Sequence, residues 1–332
     1  MLRFTEIQAA AIMASRRSFD ERQVAIAAAN SGEFVGNAAP VDIDAWRRID
    51  QRATLVQRDV LAVFNRLAAA STTPLDIGDL VSYFPQVSDS GEVTVSMDGR
   101  QTGRSDQALV KYAGTPVPIL ASEARFGWRQ AAVNRKGAVM LDAVTVENHQ
   151  RKIAEKMEDL VLNGDANVVV GGNTIYGLRN HPSRNTFTHG LTLASSTGAQ
   201  WLTAFQSAIN AAIGDNAFGR LTVFLNYGDW VAASINEFVA GYPKTILQRL
   251  REIEQIADII PASKVPANNI CGIAGLETGG WGSILSAMPL STRPKARHNP
   301  EDDYVVSVMA AVAPQFRVDY DGRMPVVHGT TA

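Results

Sequence analysis

Between Asp142 and Asn163 the sequence holds one helical period without interruption, and no other feature limits the possible folds so strongly. Val146, Ile153, Met157, Leu160 and Val161 fall on one stripe at helical spacing. Glu147 stands four residues before Arg151, while Lys152 with Glu155 and Lys156 with Asp159 are spaced to pair along the wet side. Asp142 is placed to cap the start. Asn163-Gly164 is placed to close the end, where the backbone turns left-handed. A helix of this length runs about 30 Å, long enough to act as a strut across a whole domain.

The flanking stretches follow other patterns. Residues 1–75 read as a helical arm. Phe4, Ile7, Ile12 and Met13 sit among alanines, Asn30-Ser31-Gly32, Gly36 and Pro40 make a break, and a second amphipathic stretch runs from about Asp42 to Ala70. Pro74 ends it. Residues 76–130 switch period: Val93 and Val95 alternate with Glu92, Thr94 and Ser96, Asp98-Gly99 signals a turn, and Val117 to Trp128 reads as the return segment. The result is a long two-stranded excursion with few apolar residues of its own. Such a ribbon is marginal in water, so it must lie on something, and a neighbouring copy of the same chain is the natural support.

Residues 164–190 read as loop, with Gly171-Gly172-Asn173 as turn residues. From 197 to 260 helix and strand alternate: Thr197 caps a helix carrying Trp201 and Phe205, Leu221 to Leu225 is a buried strand, Asn226 caps Tyr227 to Val239, Thr245 to Ile253 is helical, and Ala257 to Ile260 is a strand. Residues 270–290 alternate strand with glycine-rich loop. Strands are expected at Tyr304 to Val312, Gln315 to Tyr320 and Met324 to Val327, with Asp321-Gly322 turning between the last two.

Composition narrows the chemistry. With 46% hydrophobic and 19% charged residues the chain can build a core. A net charge of −2 argues against a strongly basic nucleic-acid binder, because phosphate binding needs clustered Lys and Arg. Cys271 is the one cysteine, so no intrachain disulfide forms, and it reads as a small buried apolar residue. No apolar run is long enough to span a membrane.

Gly171-Gly172-Asn173 and Gly279-Gly280-Trp281-Gly282 lack the lysine and the helix of a phosphate loop. His149, His181, His189, His298 and His328 show no metal-ligand spacing. Glu301-Asp302-Asp303 lacks the alternating oxygens of a calcium loop and reads as a solvated turn. Arg293 to His298 is a basic patch, read as a solvated loop or as a contact to another subunit or to DNA. No Gly-x-Ser-x-Gly elbow is present. The sequence nominates no catalytic, cofactor-binding or metal-ligating residue, and the chain is not expected to be an enzyme.

From 141 to 182 the order of features becomes specific: a long helix ending in Leu160-Val161-Leu162-Asn163-Gly164, a glycine-rich loop, then Ile175-Tyr176-Gly177-Leu178 and Asn180-His181-Pro182. This resembles the segment after the spine helix in major capsid proteins of tailed bacteriophages with the Hong Kong 97-type fold, and in the related encapsulin shell proteins. The resemblance implies an α+β fold. Its parts would be an N-terminal arm over 1–75, an E-loop with flanking strands over 76–130, a P-domain over 131–195 with spine helix 142–163, an A-domain over 196–300, and C-terminal strands 301–332 returning to the P-domain.

It implies a subunit that forms pentamers and hexamers around packaged double-stranded DNA, contacted non-specifically. E-loop residues 85–116 would lie on a neighbour. Portal, scaffolding and decoration proteins would be partners, and assembly in the host cytoplasm would lead to the virion. The founding phage of the fold links subunits through a Lys–Asn isopeptide bond. Lys111 is the only lysine in the E-loop here, and no acceptor Asn or promoting Glu matches, so no such bond is expected and Lys111 reads as salt-bridged or solvated. An encapsulin-type compartment and an oligomeric α/β enzyme or binding protein are the alternatives.

Overall fold

A computed structural model describes residues 61–91, 107–129, 141–241, 243–278, 280–299 and 301–331, with isolated positions between 10 and 21 and between 93 and 97. The chain divides into two units. One, residues 1–53 with 137–139, lies almost wholly outside the described residues, as do the arm helices expected before residue 60. The other unit is described below.

In chain order its first half comprises α1 (Ala62–Ala70), β1 (Thr72–Pro74), β2 (Val81–Val87), β3 (Val110–Pro116), β4 (Ile119–Phe126), α2 (Leu141–Asn163), β5 (Asp165–Val170), β6 (Asn173–Ile175) and β7 (Asn185–Thr188). There follow α3 (Gly198–Gly214), β8 (Leu221–Leu225), α4 (Tyr227–Ile235), α5 (Ile246–Arg251), β9 (Ile256–Pro261), β10 (Ile270–Ala274), β11 (Gly282–Pro294), β12 (Tyr304–Phe316) and β13 (Val326–Thr330). The strands form a four-stranded sheet in the order β1-β11-β12-β4, a five-stranded sheet in the order β7-β13-β10-β8-β9, and the ribbons β2-β3 and β5-β6.

The long helix α2, 23 residues and so about 35 Å, lies on the four-stranded sheet. Its stripe residues Ile153 and Met157 pack against Val308, Ala310 and Val312 of β12. Ser122 of β4 and His149 of α2 share a 2.5 Å hydrogen bond on the same face. The five-stranded sheet is covered on both sides. Trp201, Phe205 and Ala208 of α3 meet Leu221, Val223 and Leu225 on one face. On the other, Phe224, Cys271, Ile273 and Val326 meet Val161, Leu162, Leu178 and the α1 residues Val63 and Leu67. Two covered faces explain why β8 reads Leu-Thr-Val-Phe-Leu without alternation and is buried throughout. Each large side chain so buried contributes about 2 kcal/mol.

Several local expectations change. Asp142 lies inside the first turn of α2, which is already helical at Leu141, and so is not its cap. The stretch 164–190 is not all loop: β5, β6 and β7 form there, and β5 and β6 close on Gly171 and Gly172 with φ of 58° and 80°, both left-handed as a two-residue hairpin turn requires. The helix capped by Asn226 stops at Ile235, short of Val239. Thr197 and Thr245 start their helices with capping boxes to Gln200 and Gln248.

The strand expected to break between Val312 and Gln315 runs unbroken from Tyr304 to Phe316 as β12. Its Pro314 is tolerated because β4 pairs only as far as Ala311, leaving Pro314 beyond the doubly bonded part. Residues 93 and 95, read as strand from their alternation, are not in one. Sheet membership also crosses the boundary expected at residue 300. β11 joins β12 on the spine-helix sheet, and β13 enters the five-stranded sheet between β7 and β10.

Candidate assembly interface

The β2–β3 ribbon is the part of the described chain most obviously incomplete on its own. Its register pairs Val81 with Pro116, Tyr83 with Gly114, Pro85 with Tyr112 and Val87 with Val110, and the alternate rungs pair Ser82 with Thr115, Phe84 with Ala113 and Gln86 with Lys111. Residues opposite each other share a face, so the ribbon has two distinct sides. The Phe84 side leans on the body. Phe84 and Thr115 are buried. Gln86 Nε2 donates to the Val318 carbonyl at 3.0 Å, and the Lys111 ammonium sits 3.9 Å from the centre of the Tyr320 ring. Lys111 is thus solvent-exposed, as one of the two expectations had it, and also lies over an aromatic face. Beside β3, Asn173 of β6 accepts from Gly114 N at 3.1 Å.

The opposite side touches little. Tyr83, Val87, Val110 and Tyr112 are 57%, 56%, 50% and 70% exposed. Pro85 is exposed between them, and Leu109, Leu80 and Ile77 extend the apolar surface at either end. Ser88 N donates to the Leu109 carbonyl at 2.8 Å and the Ser88 hydroxyl accepts from Leu109 N, so the ribbon continues past β2 and β3. An exposed aromatic and aliphatic face on a two-stranded ribbon is the kind of surface a partner covers. Where the ribbon meets the body, Phe84, Thr115, Asn173, Tyr176, His181 and Tyr320 line a cavity of about 310 Å³.

The sequence reading missed this face. Tyr83-Phe84 breaks the alternation and Pro85 reads as a breaker, although proline is acceptable in a ribbon with open edges. The usable signal lay in the return strand, where Val110, Tyr112 and Gly114 alternate with Lys111 and Ala113.

The residues weighed for chemistry sit in structural roles. Cys271 is fully buried on β10, and burial pushes its thiol up to about 12 despite Arg179 and Arg184 acting the other way. Burial, reinforced by Arg184, holds the His181 imidazole at about 4. His328 is lowered to about 4 by burial, with Arg179 and Arg184 adding to it. Both rings accept at Nδ1, from Ser183 N at 3.1 Å and from Arg184 Nε at 3.4 Å, which requires the neutral form. His189 and Asp229 flank Asn268 and tie down its left-handed backbone: Asn268 N donates to Asp229 at 2.7 Å.

In the basic patch Lys295 pairs with Glu123, and the Arg297 guanidinium stacks 4.0 Å from the Tyr304 ring. In the acidic run Asp302 caps a turn, accepting from His298 N and Asn299 N. Among the described residues no three His, Cys, Asp or Glu side chains are placed to hold a metal, and no helix is long and apolar enough to cross a membrane.

Against known proteins, residues 37–329 match the profile described as "Family of unknown function (DUF6260)". No curated protein sequence matches. Among solved structures, the capsid of Myoviridae phage XM1 superposes with a TM-score of 0.70 at 13% identity, covering 87% of this chain and 98% of that one. The capsid of a native GTA particle gives 0.59 at 13% identity over 87% and 98%. A virus-like particle from Pyrococcus furiosus gives 0.52 at 14% identity over 80% and 91%. At these identities the likeness establishes the fold. It is the α+β fold of phage capsid subunits, the Hong Kong 97-type architecture that the segment 141–182 resembles.

Proposed function

This chain belongs to DUF6260, a family of unknown function, and we propose that it serves as a major capsid protein, the repeated subunit of an icosahedral phage head enclosing double-stranded DNA. The observation that carries the proposal is the two-sided ribbon β2–β3, pinned to the body along Phe84, Gln86 and Lys111 and offering Tyr83, Val87, Val110 and Tyr112 to a partner. A neighbour can cover the open face of such a strand pair, and identical subunits supply identical neighbours. The capsid structures that share the fold support the reading.

In this reading the ribbon is the E-loop, the sheet under α2 belongs to the P-domain, and the five-stranded sheet belongs to the A-domain that gathers around pentamer and hexamer axes. Portal, scaffolding and decoration proteins are further partners, the DNA is touched without sequence preference, and the subunit ends in the virion. The role is structural and requires no catalysis.

The similarity to the Pyrococcus furiosus particle favours one second reading, a compartment shell of the same fold. Electron microscopy of the purified expressed chain is the test. Closed particles or regular pentamers and hexamers are the expected result, and their contents, DNA or protein, separate head from compartment. Monomers or dimers alone, with shells absent even after scaffold co-expression, would refute both.

A further inference from the structure

The cavity where the ribbon meets the body is built from three separate stretches of chain. Phe84 of β2 and Thr115 of β3 close it from the ribbon. Phe316 at the end of β12 and Tyr320 beyond it form a second wall, and Tyr176 and His181, between β6 and β7, form the third. Its volume of about 310 Å³ is that of a small-molecule pocket, and such pockets combine apolar and aromatic walls with a few placed polar groups. A cavity of about 150 Å³ holds one benzene ring, so this one has room for two fused rings.

The lining limits the charge of an occupant. His181 Nδ1 accepts from Ser183 N at 3.1 Å, so its proton sits on Nε2, which has no partner among the described residues. Burial and Arg184 keep the ring uncharged at neutral pH, and Tyr176 meets it edge-on with ring centres 5.1 Å apart. The cavity thus has a neutral donor held in place. Among the described lining residues Asp319 alone is charged, and its carboxylate disfavours an anion. A cation is disfavoured by the Lys111 ammonium, which already occupies a face of the Tyr320 ring at 3.9 Å from its centre.

We propose that this cavity is a binding site for a small, flat, uncharged ligand of two fused rings that carries a hydrogen-bond acceptor. The rings pack among Phe84, Phe316 and Tyr320, and the acceptor takes the Nε2 proton of His181. Because the walls belong partly to the ribbon and partly to the body, a bound ligand ties the one to the other. The site is complete within a single chain and does not depend on the shell reading.

The test uses the purified full chain and two probes in mildly alkaline buffer, where both are uncharged: isoquinoline, whose ring nitrogen accepts, and indole, whose N–H only donates. Affinity is measured by equilibrium dialysis, and the site is located by amide exchange read by mass spectrometry. Isoquinoline should bind about tenfold more tightly than indole, the worth of one hydrogen bond. At ten times its Kd, exchange at residues 81–87 and 110–116 should slow about tenfold. Failure of both probes to bind up to their solubility would overturn the site, as would protection confined to other segments. Equal affinities would overturn the His181 contact and with it the ligand class. In His181→Leu isoquinoline should lose its advantage, and an advantage retained there would overturn the same contact. Where that variant does not fold, the two probes on the wild type decide.

Discussion

At the scale of single residues, polar groups in the core act by staying neutral or by being fully bonded. Cys271 is the simplest case. A thiol raised to about 12 and closed off by Phe224, Ile273 and Val326 supplies almost no thiolate at neutral pH. A thiol-reactive disulfide reagent should therefore leave the native protein untouched and label it stoichiometrically in denaturant, and rapid native labelling would contradict the packing.

His181 and His328 give a pH dependence with a definite sign. Their folded values near 4 lie below the unfolded value near 6.5, so the unfolded chain binds the proton first as pH falls. Stability is complete above pH 6.5 and is lost progressively down to about pH 4, roughly 2 kcal/mol per histidine by pH 5. Urea midpoints at pH 7 and pH 5 should show the drop, and replacing both histidines by glutamine should flatten it.

At the scale of elements, the end of the spine helix is fixed by backbone contact. Gly164 turns left-handed with φ of 64°, and a Cβ on it would stand 2.3 Å from the Ile175 carbonyl. A Cβ on Gly177 would stand 2.5 Å from Gly164 N. The two chain segments touch because neither has a side chain there, and Leu178 N and Arg179 N donate back to the carbonyls of Val161 and Leu162 at 2.9 Å. Gly177→Ala should cost about 2–3 kcal/mol, seen as a lower urea midpoint with unchanged slope. Neutral behaviour would mean that the helix end is looser than this.

The glycines were visible in the sequence as Asn163-Gly164 and Tyr176-Gly177-Leu178. Their contact was not, because twelve intervening residues, whose strands β5 and β6 had read as loop, double back between them. The same holds for β12, where Pro314 reads locally as a break and the partner strand decides otherwise.

At the scale of the whole molecule, the outward face of the ribbon should matter to assembly and not to folding. Replacing Tyr83 and Tyr112 together by serine removes two exposed rings, so the stability of the unassembled subunit, read from urea unfolding, should change by less than about 0.5 kcal/mol while particle yield falls sharply. A large loss of subunit stability would place these rings in the subunit's own core. What the sequence determined by itself was local. The period of α2, the cap at Thr197, the buried run of β8 and the ordered features from 141 to 182 all depend on residues close in the chain, and they sufficed for the α+β class and the resemblance to capsid subunits. Only the tertiary structure decided which sheet received β11 and β13, which side of the ribbon faces outward, and that Glu158 caps a helix nearly a hundred residues earlier. Each of these joins backbone or side-chain groups far apart in sequence, where the free energy lies in a pairing that neither partner's local pattern encodes.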